Sequence, residues 1–238
     1  MSIHTMNKLI LSNGSEIDIQ PEYKSMIGKI KNIFDNNKPV DILSVNFGLL
    51  FYSGMYYHMN SDYAKALEYY SRVDRGESLY YASLCYQEIG DLEKCLQCLS
   101  DACAKKNVNA MNRLGDYYTN TGDRDNAIIW YQNAINNNSF EHAFEVAEYY
   151  YDIGRTDEAE EYCKKAILNG SADAFRNKEK YGIVLKSDEY IMYLEKNGDS
   201  GDYSSYCKLV EMFKDTDLTR AQKYNTKLIE KGYQLYNI

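Results

Sequence analysis

LGDYYTNTGDRDNAIIWYQNA, residues 114–134, sets a small residue at Gly115 and at Ala127, an aromatic at Tyr118, and a central Gly122-Asp123. A glycine with a polar follower closes one helix and starts the next. A small residue on each helix lets the two approach closely, and an aromatic one turn further on fills the volume beside that contact. The stretch therefore reads as a helix hairpin. Its pattern recurs outward in both directions. Gly90, Gly122 and Gly154 stand 32 apart, followed by Asp91, Asp123 and Arg155. Five residues after each glycine comes Cys95, Ala127 or Ala159. Asn60 with Ala66 marks a similar turn one repeat earlier, and Asp215 with Ala221 a later one. Twelve residues before the small residue stand Gly54, Ser83, Gly115 and Ala147, and nine before it Tyr57, Tyr86, Tyr118 and Tyr150.

A single hairpin cannot bury its own apolar face, so several must stack. Residues 47–238 number 192, six times 32. The expected fold is mainly α: an α-α superhelix, a solenoid of about six helix hairpins, over 47–238, with a small α+β segment at 1–46. The pattern thins in the fifth repeat (about 171–201), where Glu179 and Ile191 take the small positions and Gly182 the aromatic one. The last repeat keeps Leu209, Met212, Ala221 and Leu228.

Leu114-Gly115-x-x-Tyr118, Gly122-Asp123 and Ala127-Ile128-x-Trp130-Tyr131-x-x-Ala134 resemble a tetratricopeptide (TPR) repeat. The Trp-Tyr-x-x-Ala ending also resembles the related Sel-like repeats. Val146-Ala147-x-x-Tyr150 through Ala159 to Ala166 repeats the pattern. The heavy use of Tyr, Asn, Ile and Lys resembles helical-repeat proteins of AT-rich genomes, amoebae and their giant viruses among them. Such families are scaffolds that hold a peptide or helix in a concave groove lined by the first helix of each repeat. Mapped position by position, the resemblance implies Phe51, Met55 and His58 from the first repeat and Glu77, Tyr80, Leu84 and Gln87 from the second. Asn109, Asn112, Asp116 and Thr119 come from the third, and Glu141, Phe144, Glu148 and Tyr151 from the fourth. The TPR clamp for a carboxyl-terminal Glu-Glu-Val-Asp peptide needs Lys and Arg at such positions. Repeats two to four supply none, and offer Glu77, Asp116, Glu141 and Glu148 instead. The implied partner is a basic or aromatic peptide, held by charge complementarity and stacking.

Composition agrees with helix. Both prolines, Pro21 and Pro39, precede residue 40, and the remaining 199 residues contain none. Sixteen of the 25 tyrosines fall in 47–166, many at packing positions. The net charge of −8 lies wholly in 47–238, because five basic and five acidic groups cancel in 1–46. No basic stripe of the kind that binds phosphate is visible, so nucleic acid is not an expected partner. No apolar run approaches the roughly 18 residues that span a bilayer, and the amino terminus does not read as a signal peptide. An intracellular, cytoplasmic location is expected.

No catalytic site is expected. His4, His58 and His142 lie far apart in sequence, and neither a Gly-x-x-x-x-Gly-Lys-Ser/Thr nor a Gly-x-Gly-x-x-Gly motif occurs. Cys85, Cys95, Cys98 and Cys103 cluster in the second repeat. Cys95-x-x-Cys98 resembles half of a zinc site, but no second pair follows at zinc-ribbon spacing. Cys95, Cys98, Leu99, Ala102 and Cys103 follow helical spacing and read as a packed stripe. No metal and no cofactor is implied.

The first 46 residues follow another pattern. Lys8–Ser12 and Ser15–Ile19 read as strands around an Asn13-Gly14 hairpin turn. Pro21 opens a helix with an apolar stripe at Met26, Ile27, Ile30, Ile33 and Phe34, and Val40–Ser44 reads as a third strand. The order, with Asn13-Gly14, Ser25, Pro39-Val40 and Val45-Asn46, resembles the first half of the BTB/POZ fold, nearest to the adaptor subunit of SCF-type ubiquitin ligases. That resemblance implies a docking head for ubiquitin-ligase components; the alternative is a small α+β cap over the exposed end of the solenoid, which such arrays need.

Overall fold

The computed structural model describes residues 8–10, 16–18 and 47–233, and the chain divides into two compact bodies, Met1–Trp130 and Tyr131–Ile238. The first body holds β1 (Lys8–Ile10), β2 (Glu16–Asp18), α1 (Phe47–Met59), α2 (Tyr63–Tyr70), α3 (Gly76–Ile89), α4 (Leu92–Ala104) and α5 (Val108–Asn120). Helix α6 (Arg124–Asn136) carries the division. The second body holds α7 (Ala143–Asp152), α8 (Thr156–Leu168), α9 (Ala172–Arg176), α10 (Ser187–Asp199), α11 (Tyr203–Phe213) and α12 (Leu218–Glu230). The fold is that of consecutive helix pairs. The densest packing joins α1 to α2, α3 to α4, α7 to α8 and α11 to α12.

The turns show why the sequence pairs its helices. Gly122 sits at φ +82°, where a Cβ would be strained. Its N–H donates to the Thr119 carbonyl, and the Asp123 N–H donates to the carbonyl of the register aromatic, Tyr118, at 2.9 Å. The same pair of bonds closes α3 at Gly90 and α7 at Gly154. The polar follower then caps the next helix. Asp91 Oδ1 accepts from the Lys94 N–H at 3.1 Å, and Asp123 Oδ1 from the Asn126 N–H at 3.2 Å. Arg155 has no acceptor to offer; it pairs with Glu158 and lies 4.7 Å over the Tyr150 ring. In the first repeat the left-handed residue is Ser61 (φ +61°) rather than Asn60, and Asp62 caps Lys65 at 3.3 Å.

A second 32-residue series lies hidden in the sequence. Lys106, Asn138 and Gly170 also take left-handed backbone, at φ +60°, +66° and +92°. They end α4, α6 and α8 with the same bonding: the next residue donates to Ala102, Ala134 or Ala166. Three different residue types fill one conformation, so no letter pattern betrays it.

The register aromatics do fill the space between paired helices. Tyr57 stacks on Tyr69 at 5.4 Å and Tyr150 on Tyr162 at 5.6 Å, each partner twelve residues on and on the second helix of its pair. The small positions are buried too: Ala66, Ala127, Ala147 and Ala159 are at most 1% exposed. At Gly54, however, the side chain that fills the space is Tyr70, not Ala66.

The fifth repeat departs from the expected register. Its first helix is α9, five residues long. Asn177-Lys178-Glu179-Lys180 follows, and four polar residues leave a next turn nothing to bury. The chain instead reaches a stop at Gly182 (φ +68°), whose N–H donates to Glu179 while that of Ile183 donates to Lys178. Gly182 is thus the turn glycine of this repeat, not its aromatic position. Tyr181 and Ile183 bury instead. In the last repeat Leu209, Ala221 and Leu228 are buried as the spacing requires, whereas Met212 is 40% exposed.

The strands β1 and β2 pair antiparallel, Lys8 opposite Asp18 and Ile10 opposite Glu16. The Asn13-Gly14 turn, the helix expected after Pro21 and the strand expected at 40–44 lie outside the described residues.

Candidate peptide-binding surface

In the first body, α1 and α3 turn several groove positions inward. Phe51, Met55 and His58 are buried, as are Tyr80 and Leu84. Phe51 meets the rings of Tyr70 and Tyr81 at 5.9 and 5.4 Å. His58 stands edge-on to Tyr63, Tyr70 and Tyr81, with Nδ1 3.4 Å from Cys85 Sγ. Burial lowers its imidazole to about 4, opposed in part by Glu88. The pair is no catalytic dyad: burial also pushes the Cys85 thiol up to about 12, so the thiolate is absent and water is excluded.

The accessible positions of this body are fewer. Glu77, Gln87 and Asp116 are half-buried, Asn109 and Thr119 are exposed, and Asn112 is buried. Gln87 Oε1 accepts from Arg113 Nη2 at 2.7 Å. Arg113 therefore brings a cation to a face whose predicted positions hold none.

In the second body, the turn before α7 leaves Glu141 exposed, and α7 displays Tyr151 exposed and Phe144 and Glu148 half-buried. Spacings of four and three residues put Phe144, Glu148 and Tyr151 on one helix face. The turn after α9 completes it. Tyr181 sets its ring 6.0 Å from Phe144 and 5.3 Å from Tyr151. Lys180 Nζ lies 4.3 Å from the Tyr151 ring centre and 5.2 Å from that of Tyr181. Burial, and after it the Glu148 carboxylate, push the Tyr181 phenol up to about 12, so it stays a neutral hydroxyl. Position-by-position mapping missed Arg113, Lys180 and Tyr181. The last two sit in a turn, where helical spacing carries no information.

The cysteines of the second repeat lie in the packing of α3 and α4. Cys85, Cys95 and Cys103 are buried and Cys98 is half-buried. Burial pushes Cys98 up to about 11 and Cys103 up to about 12, which makes both poor ligands and poor nucleophiles. Among the described residues, no three His, Cys, Asp or Glu side chains gather as a metal-binding group. No helix among them is long and apolar enough to cross a membrane.

The tetratricopeptide repeat signature matches residues 108–140 and 143–168, which carry α5 with α6 and α7 with α8. No curated protein matches the chain. Among solved structures, a Sel1 repeat protein from Oxalobacter formigenes superposes with a TM-score of 0.55 at 18% identity, over 88% of this chain and 98% of its own. MamA gives 0.42 at 21% identity, over 67% and 92% of the two chains. The pilF protein of Pseudomonas aeruginosa gives 0.40 at 13% identity, over 88% and 91%.

Proposed function

We propose that this chain, in fold a TPR- and Sel-like helical-repeat protein, is a non-catalytic scaffold that holds a basic, aromatic-bearing peptide segment. Scaffolds of this kind generally mediate protein–protein interaction. The observation that carries the finer reading is the face of α7, where a carboxylate, Glu148, stands between two accessible aromatics, Phe144 and Tyr151. A cationic side chain stacks on such rings and pairs with such a carboxylate. Glu77, Gln87, Asn109, Asp116 and Thr119 would extend the contact in the first body. The buried members of the predicted wall, Phe51, Met55, His58, Tyr80, Leu84 and Asn112, would act by fixing the helices that present the rest.

The test is fluorescence anisotropy with a labelled (Arg-Tyr-Ser)4 peptide. The double substitution Glu141→Lys and Glu148→Lys reverses the local charge and is expected to weaken binding about ten-fold or more at low salt. Affinity equal to that of the unchanged chain would end the reading.

A second reading makes residues 1–46 a BTB/POZ-like head that docks a ubiquitin ligase while the repeats select its target. It is supported by the antiparallel pairing of β1 with β2. Affinity purification with the full chain should then recover a cullin or an F-box protein, and recovery of neither would exclude it.

A further inference from the structure

The short fifth repeat places Lys180 and Tyr181 against α7. The Lys180 ammonium rests over the Tyr151 and Tyr181 rings. Among the described residues it makes no ion pair, although the Glu148 carboxylate acts on the same neighbourhood, at Cys163 and Tyr181. Beneath it the Tyr181 hydroxyl is buried without a hydrogen-bond partner, and the residue is 6% exposed. A buried hydroxyl without a partner is costly and uncommon. The segment that carries both side chains is held by single-turn bonds, Lys180 to Asn177 and Gly182 to Glu179, and belongs to no helix.

We infer that this face of α7 is a subsite for one arginine side chain of a bound peptide, and that Lys180 occupies it in the free chain. The inference rests on the peptide-scaffold reading above and adds a specific site, a preferred residue and an internal competitor. The chemistry favours arginine. A guanidinium can stack flat on Tyr151, present a forked pair of N–H groups to Glu148, and still direct a further N–H toward the Tyr181 oxygen. An ammonium covers a ring or meets a carboxylate, but it cannot do all three. Lys180 shows that compromise: it has the rings and lacks the carboxylate. Displacing it requires no helix to unwind, because the turn around it is short and Lys180 itself is exposed.

The test uses the full chain with labelled (Arg-Tyr-Ser)4 and (Lys-Tyr-Ser)4 at low salt. Lys180→Ala removes the competitor and is expected to tighten the arginine peptide about two- to five-fold, the usual effect of one exposed cation–ring contact. Lys180→Gln, which keeps most of the aliphatic stem, should behave alike. Tyr151→Ala should weaken the arginine peptide and abolish its advantage over the lysine peptide. If the unchanged chain binds but neither Lys180 variant tightens, or if the lysine peptide binds as well, the subsite is wrong and the scaffold reading stands. If neither peptide binds the unchanged chain, both fall.

Discussion

Lowering the pH from 7 to 5 is expected to cost this protein about 2 kcal/mol of stability through one residue, His58. Its imidazole is 4% exposed and enclosed by Tyr63, Tyr70 and Tyr81. Burial brings its folded value to about 4, from an ordinary 6.5. Because the folded form resists protonation, protons bind the unfolded chain first. The stability that the neutral ring contributes is complete above pH 6.5, shrinks as pH falls through that value, and is gone below about 4. The full span is about 3 kcal/mol. Carboxylates held down by partners, such as Asp199 beside Lys227, lose their contribution only at lower pH. The window between pH 7 and 5 therefore lies above those carboxylates, and His58→Gln separates His58 from His4 and His142. Urea unfolding at both values should show the drop in the unchanged chain and most of it removed in His58→Gln. Equal drops in the two would assign the acid sensitivity elsewhere.

Gly54→Ala is expected to destabilise by about 1–2 kcal/mol, against the usual trend. Within a helix, alanine is ordinarily better than glycine by about 1 kcal/mol. Here a Cβ would lie 2.5 Å from Cε1 and 2.6 Å from Cδ1 of Tyr70. That ring has nowhere to go: it is 2% exposed and wedged by Phe51 at 5.9 Å and Tyr81 at 6.0 Å. Overpacking of this kind costs about 1–3 kcal/mol and exceeds the helix gain. Gly198→Ala repeats the experiment in the second body, where Tyr206 Cε1 would stand 2.6 Å away. Gly48→Ala is the control, because its added Cβ would meet Tyr52 at an ordinary 3.7 Å. The midpoints of urea unfolding should fall for Gly54 and Gly198 and hold or rise for Gly48. An unchanged midpoint for Gly54→Ala would mean that the ring shifts freely.

Legibility followed locality. The turns at Gly90, Gly122 and Gly154 were readable because left-handed backbone selects glycine at each, with a capping carboxylate following at the first two. The matching turns at Lys106, Asn138 and Gly170 were not, because two of them take left-handed backbone without glycine, closed by the same local carbonyl bonds. Family register assigns positions along a helix and does not carry the direction of each side chain. Phe51, Met55, Tyr80 and Leu84 are buried in the core, Phe51 against the rings of Tyr70 and Tyr81.

The sequence by itself determined where helices start and stop through most of the chain. Those signals are hydrogen bonds between residues at most five apart, and apolar spacing along one helix. The tertiary structure alone decided that Gly54 faces Tyr70, that the fifth repeat shortens around Tyr181, and that Lys180 rests over Tyr151. Each of these joins residues that are sixteen or more apart, or hangs on a turn outside the helical period, so the choice belongs to packing and to the charges that packing brings together.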